Sequence, residues 1–498
     1  MLGTSVVLCS SLAASTAGRP NIVIILSDDY GYGSVGCYGA DPKLVRTPNI
    51  DRLAREGRRF TDGNTTSSVC SPTRYSLVTG RYCWRTSLKN EVLNVFAPLH
   101  IETNRFNMAS LLKRHGYRTA AVGKWHLGYG TEERTDYTGR LAPGPLELGF
   151  EYHFGVPSNH GDVTGVFVEN HYVYGLRSGK IPPNLKVAGP APDDDNFAAT
   201  YQSFAGRKGS TEIDASKRVD DRVMPVLTDK AVAWLEQQKP GKPFFLYYTP
   251  VAVHNPVTPS DKTMGSSTAG PYGDWIHELD RSVGRVPETL DRLKFTENTL
   301  LIFTSDNGGS GQMSEVQTMR EPNEQVVAMK AGLDLNKPWR GRKHSVYQGG
   351  FRVPFIARWP GHVPVGTTCD ETISVVDMLA TISALVGEKL PPATQAAEDS
   401  YNVLPAFLGE KYTAPLRPFL IVHSADGVFG IRQGPWKWIE GKSSKPNPPK
   451  GRSDEFKPQL YNLKDDPAES KDVLAQNPEV AKRLAALLDG YRNSGRSR

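Results

Sequence analysis

The sequence predicts an α/β fold in which a large, mostly parallel sheet carries helices on both faces and precedes a small C-terminal α+β subdomain. Short apolar runs, typical of strands buried on both sides, alternate with amphipathic helical patterns in four strand–helix units. After about Val386 that alternation gives way to a hairpin pattern and a terminal helix. Residues 20–385 are therefore read as the α/β domain and 386–498 as the subdomain.

Asn21 to Leu26 (NIVIIL) reads as the first strand. Thr47-Pro48 supplies an N-cap and a first-turn proline for a helix through Ile50, Leu53 and Ala54 to Gly57. A helix over Met108 to Arg114 stops at Gly116, and Arg118 to Val122 is the next strand. Thr228 reads as the cap of a helix with Ala231, Val232 and Leu235 on one face, followed by the strand Pro243 to Thr249. Ile276, Leu279, Val283, Val286, Leu290 and Leu293 mark a long helix, bent at Pro287, before the strand Thr299 to Thr304.

Residues 160 to 225 are irregular and rich in Gly, Pro, Asp and Ser, and read as surface loops suited to substrate contacts. Residues 428–439 pattern as a hairpin, 442–454 as a polar loop, and Asn477-Pro478 opens the last helix through Leu484, Leu488 and Tyr491. There are no internal repeats.

The net charge of +6, from 59 basic and 53 acidic residues, is dispersed without a basic block. Such a balance excludes nucleic acid as the expected partner while tolerating an anionic substrate. The segment MLGTSVVLCSSLAASTAG has a short apolar run, small residues at Ser15 and Ala17, and no basic start. We expect residues 1–17 to be a signal peptide and the mature protein to be periplasmic or secreted. No later run approaches the length of a membrane span, so no stable membrane insertion is expected. Cys37, Cys70, Cys83 and Cys369 are spaced too widely for a disulfide framework or a zinc ligand set.

In open α/β sheets ligands bind beyond the carboxyl ends of the strands. The first strand runs into Asp28-Asp29, and TLLIFT into Ser305-Asp306-Asn307-Gly308-Gly309. If those strands are neighbours they gather three carboxylates and an amide, a set that repels itself unless a hard cation, calcium or magnesium, joins it. Either pair alone would read as turn residues. Lys124 and His126 follow RTAAV two apart, hence on one side in an extended segment, with Trp125 opposite. His254 follows PFFLYYT, a place where a lone histidine is more often structural. Lys343, in RGRKHSVYQGGFRVP, is a candidate charge clamp or proton donor.

Cys70 sits at a helix start set by Pro72, where the helix dipole would lower its pKa, and Arg74 one turn later reaches the same space. A thiol phosphatase is one reading, but those enzymes separate cysteine and arginine by six residues, and a thiolate suits a hard cation poorly. A disulfide with Cys83 is another; it leaves Arg74 unexplained.

Residues 70–81, CSPTRYSLVTGR, resemble the signature of the type I sulfatases, Cys-x-Pro-x-Arg followed by Thr-Gly-Arg, whose cysteine is oxidised to formylglycine. SDDYGYG, GKWHLG, TSDNGG, GRKHSVYQGGFRVP and the closing LYNLKDDPAES extend the resemblance from about Pro20 to the C-terminus. It implies a large mixed sheet of the alkaline phosphatase type. It also implies Asp28, Asp29, Asp306 and Asn307 as calcium ligands, with an oxygen of modified Cys70 completing the site.

Arg74 would hold the hydrated aldehyde, one hydroxyl of which attacks sulfur to give an enzyme sulfate hemiacetal. Lys124 would bind sulfate, His254 with Lys343 would protonate the departing alcohol, and His126 would take the second hydroxyl's proton and expel sulfate. Asn159 or His160 is a further candidate for a sulfate or sugar contact. Gln348 stands where the family more often has Glu, and Thr73 where Ser or Ala is commoner.

The resemblance thus implies sulfuric ester hydrolysis, with a sulfated small molecule or glycan and a formylglycine-generating enzyme as partners. Galactose or N-acetylgalactosamine sulfates are the expected sugars. A phosphonate or phosphate ester hydrolase of the same superfamily and an unconverted, metal-containing binding protein are the alternatives. The sequence carries no reading of oligomeric state.

Overall fold

The first apolar run becomes strand β1 (Asn21–Ser27), whose residues alternate between two buried layers. Val23 and Ile25 join one hydrophobic core, and Ile22, Ile24 and Leu26 join the other. A strand covered on both sides is apolar at every position, which is why NIVIIL lacks polar alternation.

The computed structural model describes residues 18–177, 197–198, 213, 215–317, 323–442 and 456–498. The expected signal peptide, most of the loop stretch 178–214 and nearly all of the 442–454 loop lie outside the described residues.

In chain order the sheet continues with β2 (Arg58–Phe60), β3 (Arg118–Lys124), β4 (Tyr152–Val156), β5 (Val168–Glu169) and β6 (Tyr172–Val173). It is completed by β7 (Phe244–Thr249), β8 (Thr299–Ser305), β9 (Phe355–Arg358) and β10 (Thr367–Cys369). Across this ten-stranded sheet the order is β10, β2, β9, β8, β1, β7, β3, β4, β5, β6. β8, β1, β7, β3 and β4 are mutually parallel, whereas β9 opposes both its neighbours and β5 and β6 turn back at the far edge. The sheet is mixed and mostly parallel.

Helices α1 (Pro48–Glu56), α2 (Cys70–Thr79), α3 (Met108–Arg114), α4 (Val223–Glu236), α5 (Pro271–Arg292) and α6 (Met378–Leu385) cover both faces. α1, α4 and α5 pack Leu53, Leu227 and Leu279 on one; α2, α3 and α6 pack Leu77, Leu111 and Leu379 on the other. Helix α2 is buried along its whole length although CSPTRYSLVT is a weak helix former. Burial of its apolar side chains, at about 1.5–3 kcal/mol each for the fully buried ones, outweighs propensity.

Two caps differ from expectation. Thr47 precedes α1, but its hydroxyl bonds Asp51 and the Gly36 N–H. Asp280 of α5 instead accepts the N–H groups of Asn49 and Ile50, at 3.1 and 2.9 Å. Thr228 is not a cap, because α4 already begins at Val223; its hydroxyl donates to Met224 O and meets Tyr248 and Ser282. The 160–225 stretch is also not all loop, since β5 and β6 extend the sheet there and Lys217 and Arg218 are buried.

Asp280→Ala, which strands those two amides, is expected to cost about 1–2 kcal/mol in chemical denaturation. Burial raises the Asp280 carboxyl from 3.8 to about 6 in spite of these bonds. A proton held more tightly in the folded state stabilises it fully below the unfolded pKa, and that contribution is lost as pH rises through the folded one. Asp280→Asn, which keeps an acceptor without the charge, should therefore gain on the parent in denaturation midpoint between about pH 4 and pH 7.

The C-terminal hairpin belongs to a four-stranded antiparallel sheet, β11 (Leu420–His423), β12 (Phe429–Gln433), β13 (Trp436–Ile439) and β14 (Gln459–Asn462). Helix α7 (Pro478–Asn493) lays Ala481, Leu484 and Leu488 against Ile421, Ile431 and Leu460. Among the described residues no helix is long and apolar enough to cross a membrane.

Candidate active site

β1 and β8 are neighbours in register, Ser27 opposite Ser305, so Asp28-Asp29 and Asp306-Asn307 leave the sheet side by side. Asp29 N donates to Asp306 Oδ1 at 3.1 Å, and Asn307 Nδ2 to Asp29 Oδ1 at 2.8 Å. β3 lies two strands from β1, beyond β7, and Lys124 at its end places Nζ 2.8 Å from Asp28 Oδ2. Lys343, from the loop before β9, pairs with Asp29 Oδ2 at 2.8 Å.

Cys70 is the first residue of α2, and its Sγ is 3.7 Å from Asp28 Oδ1. Arg74, one turn on and wholly buried, donates to Asp306 Oδ2 at 2.7 and 3.1 Å and to Lys124 O at 3.0 Å. His254, after β7, is partly exposed, with Nε2 3.9 Å from Asp29 Oδ2. His126 reaches the same region differently from the expected strand alternation. β3 ends at Lys124, and His126 adopts a left-handed φ of 55°, with Nε2 3.0 Å from Leu93 O. Trp125 turns away into the opposite core. The ten residues assigned from the sequence to metal binding or catalysis thus meet beyond the carboxyl ends of the central strands.

Residues 20–388 match the family model described as Sulfatase. The chain is 35% identical, over 95% of its length and 93% of the relative's, to an N-acetylgalactosamine-6-O-sulfatase of Bacteroides thetaiotaomicron. It is 31% identical to human arylsulfatase A, with 97% and 90% of the two chains covered. The chain belongs to the sulfatase family. This sulfatase also superposes, at a TM-score of 0.83 and 34% identity, on a structure described under metabolism of multiple glycosaminoglycans by Bacteroides thetaiotaomicron. That match covers 96% of this chain and 100% of the other. The protein is a sulfuric ester hydrolase.

The electrostatics of the sulfatase site overturn one expectation. Burial, reinforced by Asp306, pushes the Cys70 thiol up to about 12 against the pull of Lys124 and Lys343, so the helix end does not activate it. Cys70 and Cys83 are both free, which removes the disulfide reading. Burial alone would raise Asp29, but Lys343, His254 and Lys124 prevail and hold it well below the usual carboxylate range. Burial, with Lys124 and Arg74, keeps His126 neutral. Burial and Lys343 drive His254 down to about 3, Asp29 notwithstanding.

The donor set fits a hard cation. Asn307 Oδ1 is buried without a hydrogen-bond partner, while its amide nitrogen is fully engaged with Asp29 and Gly308 O. An orphaned carbonyl oxygen beside three carboxylates is what an oxygen-seeking ion requires of its ligands. Asp28, Asp29, Cys70 and His254 also offer one ligand atom each within 4.8 Å of one another.

The wall of the site is built from residues outside the sequence motifs. Thr249 at the end of β7 bonds Lys124 O at 2.8 Å, and Leu93, tied to Ser71 Oγ through its N–H, presents the carbonyl that orients His126. A backbone carbonyl has no signal in sequence; Thr249, last residue of an apolar run, had one. His160 is buried against Trp275 and Thr258, with Nδ1 lacking a partner.

Proposed function

We propose that this sulfatase removes the 6-O-sulfate of N-acetylgalactosamine or galactose residues in sulfated glycan fragments, using formylglycine made from Cys70. The observation that carries this reading is the single buried cluster in which Cys70 adjoins Asp28 within reach of Lys124, Arg74 and Lys343. The relative named N-acetylgalactosamine-6-O-sulfatase, alike over nearly the whole of both chains, supports the choice of sugar.

In the structure Cys70 Sγ stands in for the oxygens of the hydrated aldehyde. Formylglycine supplies two hydroxyls, one to attack sulfur and one whose deprotonation restores the aldehyde. Asp28, Asp29, Asp306 and Asn307 would hold calcium, which would supply positive charge against the sulfate and acidify those hydroxyls.

The chain's own residues do the rest. Lys124 and Arg74, anchored by Asp28 and Asp306, fix positive charge where sulfate oxygens enter. Leu93 O accepts only from a protonated Nε2, so His126 presents Nδ1 as a lone pair; Nδ1 is buried without a partner and takes the second hydroxyl's proton. Lys343 and His254, both against Asp29, face the departing alcohol oxygen.

A desulfation screen of defined sulfated sugars, with 4-nitrophenyl phosphate and a phosphonate ester alongside, tests this reading. Fastest release from 6-O-sulfated N-acetylgalactosamine or galactose is expected. Faster turnover of either phosphorus ester would move the assignment to the phosphorus-hydrolysing branch of the superfamily. Removing the metal with a chelator should abolish turnover and calcium should restore it. Asn307→Ala should lower the bound calcium per chain, measured by elemental analysis.

A further inference from the structure

The loop that carries Lys343 is gripped from two sides. Towards the sheet, Lys343 N donates to Gly309 O, His344 N to Ser68 O, and Gly308 N to Gly350 O, each at 2.9 Å. The opposite grip comes from LYNLKDDPAES, which begins within β14 and runs on beyond it, a motif with no side chain in the active site.

Glu469 is the centre of that grip. It is fully buried, and its φ of 55° is a left-handed conformation that a glutamate holds only where its surroundings impose it. One carboxylate oxygen accepts the Gln348 N–H at 2.6 Å, and the other pairs with Lys437 Nζ. That ammonium also donates to Val346 O at 2.8 Å. Glu469 O accepts from Arg340 at 2.8 Å, and Gln348 returns a bond to Pro467 O at 2.6 Å. Arg340, Val346 and Gln348 thus bracket Lys343 in sequence and share one anchor. A buried ion pair is by itself weak evidence of stabilisation, because desolvation offsets its attraction. Its bonds here converge on the loop that brings Lys343 to Asp29.

We propose that Glu469 is a positioning residue for the desulfation step. It fixes Arg340, Val346 through Lys437, and Gln348, and so fixes where Lys343 Nζ stands against the departing oxygen. The proposal rests on the reading that Lys343 serves the leaving group.

The test uses the full-length, calcium-loaded enzyme and two sulfate esters that differ in leaving group. 4-Nitrophenyl sulfate departs as a stable phenolate, whereas N-acetylgalactosamine 6-sulfate must release an alcohol and needs help at oxygen. Glu469→Gln is expected to lower kcat on the sugar sulfate about 30-fold, with the aryl ester within about 3-fold and KM within about 2-fold. The paired substitution Glu469→Met with Lys437→Met, which leaves no unpaired buried charge, should show the same selectivity if the single variant folds poorly. Equal losses on both esters, or no loss, would overturn the proposal. Lys343→Ala run in parallel separates the two claims. Equal losses in that variant would overturn the leaving-group role of Lys343 itself.

Discussion

Cys70→Ala is expected to abolish sulfate ester hydrolysis and to leave the fold standing. Turnover on the best substrate of the sugar screen should fall by about 10⁴-fold or more, as when the nucleophile of a concerted catalytic set is deleted. Stability should change little, because Cys70, although buried, belongs to neither of the two large hydrophobic clusters and its thiol faces the Asp28 carboxylate. Circular dichroism and a denaturation curve matching the parent, beside lost activity, is the expected result. Residual turnover within tenfold of the parent would refute the role of this residue.

Arg74→Ala has the largest expected effect on stability. The guanidinium is wholly buried, donates twice to Asp306, lies 3.6 Å from Asp28 and bonds Lys124 O. Its loss leaves Asp28 and Asp306 facing each other, and breaking one side of a buried pair costs about 3–5 kcal/mol. Lysine does not rescue, because a point charge cannot reproduce the planar fork that reaches Asp306 and Lys124 O together. Removing a cation makes the carboxylate cluster more negative, so calcium should stabilise this variant more than it stabilises the parent. Activity should fall at least about 10²-fold with the charge that faces sulfate. Denaturation in chelator and in calcium checks both signs. Parental stability in chelator would mean that Asp306 does not depend on Arg74.

Much of this was legible in the chain because the informative residues follow apolar strands. NIVIIL and TLLIFT announced their own burial, and the carboxylates after each were meaningful once the strands proved adjacent. The cap of α1 was not legible. Thr47 is an ordinary N-cap residue, and only the tertiary fold brings Asp280, from a helix far along the chain, to displace it. The Cys70 environment misled for a similar reason: a helix start suggests a lowered pKa, but burial and two carboxylates from distant strands reverse the sign. Short edge strands such as Val168–Glu169 and Tyr172–Val173 carry too little pattern to separate them from loop. Glu469 lay within a quoted motif, yet its contacts with Gln348 and Lys437 exist only when both sheets are in place.

The proposed mechanism stands on residue 70 acting as an aldehyde. The most direct measurement is the mass of the tryptic peptide Phe60–Arg74 from active enzyme, together with its reaction with a hydrazine reagent. A side chain of composition CHO in place of CH2SH is expected, trapped by the reagent, with turnover proportional to the converted fraction. A fully active preparation in which this peptide carries only the unmodified thiol would contradict it.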